Sequence, residues 1–495
     1  MNCDSSAKTG KPVRSDLEVR LRGLDSFVRK RMKDWRVHGC AVGIVKGDRV
    51  VHAKGYGTAD VERGLPVTDR TSFYTASFGK TFTATLAAIL VDEGKVEWDT
   101  PVREYVPWFR MSDPVATERA TIRDFLAQRT GLGSHDRMWI NTDMGRTEVL
   151  KRLLHLEPKC EFRSRFEYAN TNYVVAGAVM EHVTGESWEN MVRSRILEPA
   201  RMGSSFFATD RTRYRDEIPT GYELHNGKVM PYLRSFRKRW SFAEISGPAT
   251  PAGSIFSNVS DMCRYVEMHM RGGRLGRHRI VSAENLKETH RPHVLWPNLG
   301  NGKELLHAFY GMGWLIQPYR GFQCIYSGGN GCGFGCRAAF FPSESLGVVV
   351  LTNQVGTHML KVIAHNIYDR MLGLRQLPWN SRYLEIAART RSTTGEARRK
   401  RKSVSARPLH RYVGEYDHPA YGRLAVSEHS GRLKLDHNGF PFRVEHDHDD
   451  VFTISVPTGY NRSAAFGIDD NGEVDSVGIP FASGVGSIVF SKINP

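Results

Sequence analysis

A chain of 495 residues, 40% apolar and 25% charged, carries enough material for more than one globular core. No run approaches the roughly 18 apolar residues of a membrane-spanning helix, so no membrane span is expected. Seven scattered cysteines, an odd number, argue against a disulfide framework, and Cys324, Cys332 and Cys336 lack tight zinc spacing. Residues 1–14 read as a disordered tail. They lack the apolar core of a secretory signal, which gives a cytoplasmic expectation. Residues 16–35 then set Leu17, Leu21, Leu24, Phe27 and Val28 on one side of an amphipathic helix. Two apolar runs at 41–45 and 49–53 flank Lys46-Gly47-Asp48, a hairpin signal.

The next stretch is Tyr74-Thr-Ala-Ser77-Phe-Gly-Lys80, followed by Phe82, Leu86, Ile89 and Leu90 at helical spacing and by Gly94 as a stop. Ser77 is expected in the first turn of a buried helix, with Lys80 three residues on and on the same face. An amine so placed can take the hydroxyl proton during attack, and the helix N-terminus favours developing negative charge. The spacing alone carries little weight. Ser5 with Lys8 and Ser235 with Lys238 share it, but no apolar helix follows either pair.

Farther on, residues 121–126 lead to Arg129-Thr-Gly-Leu132, and a helix is expected over 173–182, ended by Gly185. Before it stands Phe166-Glu-Tyr168-Ala-Asn170, which offers a phenol and an amide to a nearby serine. Strands return at 321–326, 337–341 and 346–351, with a closing helix over 358–371. Between the first two strands lies Ser327-Gly-Gly329-Asn330. Its glycines would let substrate backbone lie along a strand edge, where the Asn330 N–H could join that of Ser77 in an oxyanion hole; a tight hairpin is the plainer reading. Strands at both ends with helices between give an α/β (α+β) fold for residues 15–378, one antiparallel sheet with an inserted helical subdomain.

Residues 379–407 read as a basic linker. From Arg389 to Arg407 there are eight basic side chains against the single Glu396, close to half the formal excess of +16. The Arg398–Lys402 core could address the nucleus or touch nucleic acid, but no aromatic residue interleaves with it to stack a base. A solvated linker is the reading adopted, and no nucleic-acid partner is expected. Residues 408–495 alternate short apolar runs with Gly, Asn and Asp turns, a small all-β barrel.

In this order and at these separations the motifs resemble the serine hydrolases related to class C β-lactamases, penicillin-binding-protein-like and of the peptidase family S12 type. Supporting stretches are Phe125-Leu-Ala-Gln-Arg-Thr-Gly-Leu132 with His135-Asp136, Pro251-Ala-Gly253 and Tyr310-Gly-Met-Gly-Trp314. Members with a trailing lipocalin-like domain are similar to residues 408–495. The resemblance implies Ser77 as nucleophile, Lys80 and Tyr168 as the base and acid pair, and Asn170 as a positioning group. Ser327, Gly329 and Asn330 would line the substrate and oxyanion edge. It implies a covalent acyl-enzyme acting on an ester or amide, as an esterase, peptidase or amidase, with a small-molecule or peptide substrate. No metal and no cofactor are implied, and a homo-oligomer is compatible with the class. A catalytically weak binding or regulatory scaffold is the alternative.

Two positions depart from the pattern. Ser327 stands where relatives carry Lys or His, so carboxylate-dependent substrates are disfavoured. Gln128 stands where many have His, and a structural role is expected for it.

Overall fold

The computed structural model describes residues 13–210, 218–225, 227–232, 247–297, 300, 302–394, 407–455, 461–482 and 484–493. Its centre is a nine-stranded antiparallel sheet in which the strand Gly39–Lys46 lies between Arg49–Asp60 and Leu346–Thr352. The register runs from Cys40 opposite Thr352 to Lys46 opposite Leu346. The two ends of the first domain thus complete one sheet, and the helices fall between them in sequence, as expected.

The central strands are apolar on both faces because both faces are covered. Ala338, Phe340, Val349 and Leu351 pack with Val259, Met262 and Val266 of the helix Val259–Met270. The alternate residues Ala339, Phe341, Val348 and Val350 pack with Leu24, Val28, Ile363 and Ile367 on the opposite face. The helix Val259–Met270 comes close: a Cβ at Gly43 would stand 2.4 Å from Cys263 Sγ. That contact fixes register, because a one-residue slip would press the side chain of Val42 or Ile44 onto Cys263.

Differences from expectation have local causes. The segment 16–35 is two helices, Val13–Leu21 and Leu24–Trp35, broken where Gly23 turns left-handed at φ 75°. Ser77 lies not in an α-helical turn but in the 3₁₀ turn Ala76–Gly79, which runs directly into the helix Lys80–Asp92. The glycine-rich segment is not a tight turn either; it forms the far half of the strand Phe322–Gly331.

The stretch expected to begin the linker is the helix Trp379–Thr394. Its first turns pack Trp379 and Tyr383 against the helix Met359–Met371, and Trp379 Nε1 donates to Asp369 Oδ2 at 2.9 Å. The basic core Arg398–Lys402 and residues 1–12 of the expected tail lie outside the described residues; Val13 and Arg14 already belong to the first helix.

Residues Gly414–His418 through Ile488–Lys492 make eight strands that close into a barrel, with Tyr416 opposite Lys492 at the seam. Closure pairs every edge, and Leu424, Leu435, Ile454, Val477 and Phe490 fill the interior. No described helix is long and apolar enough to cross a membrane.

Candidate active site

The turn that carries Ser77 is held in an uncommon shape. Ala76 adopts φ 49°, a left-handed conformation that costs a non-glycine residue roughly 1–2 kcal/mol. Neighbouring backbone crowds it from two sides. A Cβ at Gly253 would lie 2.3 Å from Ala76 O, and one at Gly329 would lie 2.1 Å from Thr75 O and 2.7 Å from Ser77 N. Only glycines permit that approach. Ser77 is therefore presented at a fixed place against the strand Phe322–Gly331.

Four side chains meet there. Tyr168 OH lies 2.6 Å from Ser77 Oγ. Lys80 Nζ, on a side chain only 1% exposed, reaches Ser77 Oγ at 3.3 Å, Asn170 Oδ1 at 2.7 Å and Ala252 O at 2.8 Å. These three acceptors match the three N–H bonds of an ammonium. The same nitrogen sits 4.7 Å from the centre of the Tyr168 ring and 5.4 Å from that of Tyr173.

Asn170 opens the helix Asn170–Thr184, which Gly185 ends at φ 72°. Its amide is oriented from behind, because Asn170 Nδ2 donates to Asp136 Oδ2 at 2.7 Å while Ser134 Oγ donates to Asp136 Oδ1 at 3.0 Å. Burial pushes the Asp136 carboxyl up, opposed by those two bonds and by the nearby Lys80 charge. Gln128 has the structural place expected of it: its Oε1 accepts from Ala169 N at 2.9 Å and Asn172 Nδ2 at 2.8 Å, which fixes the chain entering that helix.

The third motif flanks the cleft. Of the strand Phe322–Gly331 only residues 322–326 pair with Leu315–Tyr319, so its far half keeps one open edge. A two-residue turn at Cys332 and Gly333 closes on the pair Gly331 and Phe334. The alternation of an antiparallel ladder then bonds Gly329 to Cys336 and turns the N–H groups of Gly328 and Asn330 to the open edge. The Asn330 side chain is engaged elsewhere, its Oδ1 accepting from Gly356 N at 3.2 Å. Ser327 is 5% exposed, and its hydroxyl donates to Gly313 O at 2.7 Å, so it points away from any substrate.

Ser77, Tyr168, Gly328, Gly329 and Asn330 line a cleft of about 370 Å³ together with Arg337, His358 and Lys361. A larger hollow of about 560 Å³ between residues 198–201 and 264–278 holds no serine, threonine or cysteine nucleophile.

Sequence reasoning missed Asp136 as the support of Asn170, the Ala252 carbonyl as a partner of Lys80, and Arg337 as a lining residue of the cleft. The His135-Asp136 and Pro251-Ala-Gly253 stretches signalled the first two without showing what they touch. The barrel also abuts this region. Tyr421 OH lies 2.8 Å from His135 Nδ1, and Arg137 stacks on Phe440 at 4.1 Å and Phe442 at 4.9 Å.

The chain has relatives among known proteins. The chain is 26% identical over 426 residues to the unguisins hydrolase ungD' of Aspergillus campestris, covering 81% of this chain and 76% of that one. It is 25% identical over 499 residues to the unguisins hydrolase ungD of Aspergillus violaceofuscus, covering 93% and 86%. An octameric penicillin-binding protein homologue from Pyrococcus abyssi superposes with a TM-score of 0.62 at 24% identity, over 94% of this chain and 99% of that one, a likeness of fold. Residues 398–492 match a domain of unknown function, DUF3471. With residues 24–369 matching its model, the chain belongs to the Beta-lactamase family of serine hydrolases.

Proposed function

We propose that the protein hydrolyses an ester or amide through a covalent acyl-enzyme on Ser77. The observation that carries this reading is the 2.6 Å contact of Tyr168 OH with Ser77 Oγ, with Lys80 Nζ at 3.3 Å from the same oxygen. Tyr168, the nearer group, acts as a phenolate beside the Lys80 ammonium: it takes the Ser77 proton as Oγ attacks the carbonyl and becomes a neutral phenol. The N–H groups of Ser77 and Asn330 receive the oxyanion. Tyr168 then returns the proton to the leaving group, and water releases the acyl group by the reverse path. Asn170, held by Asp136, keeps Lys80 in place. Likeness to two unguisins hydrolases favours hydrolysis over a purely binding role.

Labelling with a fluorophosphonate probe, followed by mass spectrometry of the modified peptide, tests the reading. The expected product is a single adduct on Ser77. An adduct elsewhere, or none on the folded protein, would refute it.

The oxyanion assignment has its own test. A methyl at position 329 would press on Thr75 O and Ser77 N, both backbone atoms that cannot swing aside. Gly329→Ala is expected to displace the Ser77 N–H and lower kcat on an activated ester by about 10²–10³-fold, the range seen when one oxyanion donor is lost. Unchanged kcat in folded Gly329→Ala protein would remove that N–H from the mechanism.

A further inference from the structure

The hollow of about 560 Å³ that lies apart from Ser77 is lined by arginines from three separate elements. Arg201 follows the helical segment Arg193–Leu197, and Arg264 stands in the middle of the helix Val259–Met270. Arg277 lies in the two-residue loop of a hairpin that pairs Leu275 with His278. All three are exposed, and among the described residues none forms an ion pair or a side-chain hydrogen bond. Two carboxylates share the lining. Glu267 is already paired with Arg271 at 3.2 Å, and Glu198 has no ion pair among the described residues. Burial raises the Asp261 and Glu267 carboxyls and the Arg264 charge opposes it, yet neither carboxylate pairs with that guanidinium. Asp261 Oδ2 accepts instead from Ser204 N at 3.0 Å and Ser205 Oγ at 2.9 Å.

Arg201 is also strained. Its φ is 54°, in the left-handed region, where its N–H donates to Glu198 O at 2.9 Å and Met202 N to Leu197 O at 2.8 Å. Glycine is the residue suited to such a helix end, as Gly185 shows after the helix Asn170–Thr184. Three other arginines take a left-handed backbone, and each uses its guanidinium. Arg36 donates to Gly227 O at 2.6 Å, Arg163 meets Asp124 at 2.7 Å, and Arg320 meets Asp369 at 2.6 Å. Arg201 bears the same strain with its guanidinium turned to no group among the described residues, and strain of that kind gathers where a side chain is used.

Solvation accounts for any one of these arginines, but not for three from separate elements around one hollow with a strained member among them. We propose that Arg201, Arg264 and Arg277 form a second binding site, for the phosphate monoester of a hydroxylated small molecule such as a mononucleotide or a sugar phosphate. Three positive charges less that of Glu198 leave two, and a phosphate monoester carries about −1.5 to −2 near neutral pH. Guanidinium forks match pairs of phosphate oxygens, while Glu198 accepts from a ligand hydroxyl. A hollow of about 560 Å³ has the volume of a site for a molecule of that size. The site stands independently of the Ser77 chemistry.

Calorimetry on the full-length protein tests this with AMP and ribose phosphate, their parents adenosine and ribose, and inorganic phosphate. At least one ester should bind about tenfold or more tightly than its parent and than inorganic phosphate, and the better ester tells nucleotide from sugar. Arg201→Gly separates binding from a structural role. Glycine suits φ 54°, so this variant should melt no lower than the natural protein while holding the ester about tenfold less tightly. Arg264→Gln should weaken the ester by a similar factor. Both variants should keep full turnover of a neutral activated ester, since neither residue lines the Ser77 cleft. Equal binding of esters and parents overturns the proposal. Inorganic phosphate binding as tightly as either ester would mean an adventitious ion only, and overturns it too. Ester binding that survives both substitutions belongs elsewhere, as on the basic run at 389–407, and overturns it as well.

Discussion

Full-length Ser77→Ala protein is expected to lose at least about 10⁴-fold in kcat on an activated ester, with its melting temperature nearly unchanged. The hydroxyl is the only atom removed. Its hydrogen bonds go to Tyr168 and Lys80, and Tyr168 faces solvent and can exchange the lost partner for water. The packing of the turn rests on Ala76, Phe78 and the glycines around it rather than on the serine side chain. The measurement is single-turnover and steady-state kinetics beside a thermal melt. Full turnover by folded Ser77→Ala protein would end the acyl-enzyme reading.

Lys80→Ala should cost nearly as much in kcat, about 10³–10⁴-fold, but with a different second signature. Lys80 donates to Asn170 Oδ1 and Ala252 O from a buried position, so truncation strands two acceptors and opens a void among Tyr168, Tyr173 and Asn170. An abandoned buried acceptor costs about 1–3 kcal/mol. A lowered melting temperature should therefore accompany the kinetic loss, unlike the serine variant. If both variants leave the melt unchanged, Lys80 has water on these partners already and is less enclosed than its 1% exposure says.

The pairing of Ser77 with Lys80 was legible because it is local: three residues on one turn must share a face. The sheet was legible because its central strands are short continuous apolar runs at both ends of the first domain, the pattern of strands covered on both faces. Other features depended on chain that is distant in sequence. Only the ladder sets Arg337 opposite Gly328, and only the fold brings Lys361 to line the same cleft. Asp136 lies 34 residues from the amide it orients. The break at Gly23 was masked because Leu21, Leu24 and Val28 keep an apolar spacing straight through it. The helix Trp379–Thr394 was masked for another reason: its two aromatic anchors come first, and the basic run that follows carries no apolar pattern.

Contact between the barrel and the residue beside Asp136 bears on how the protein could be rebuilt from parts. Val485 of the barrel fills the space a side chain at Gly133 would need, at 2.4 Å from its Cβ position, and Tyr421 meets His135 two residues farther on. The next residue holds Asn170, and Asn170 holds Lys80. Grafting another barrel onto residues 15–394 would therefore exchange one side of this seam without the other. Chimeras would have to carry the 133–137 segment along with the barrel it fits, and a library built by joining the two halves freely should yield folded but sluggish proteins wherever the seam is mismatched.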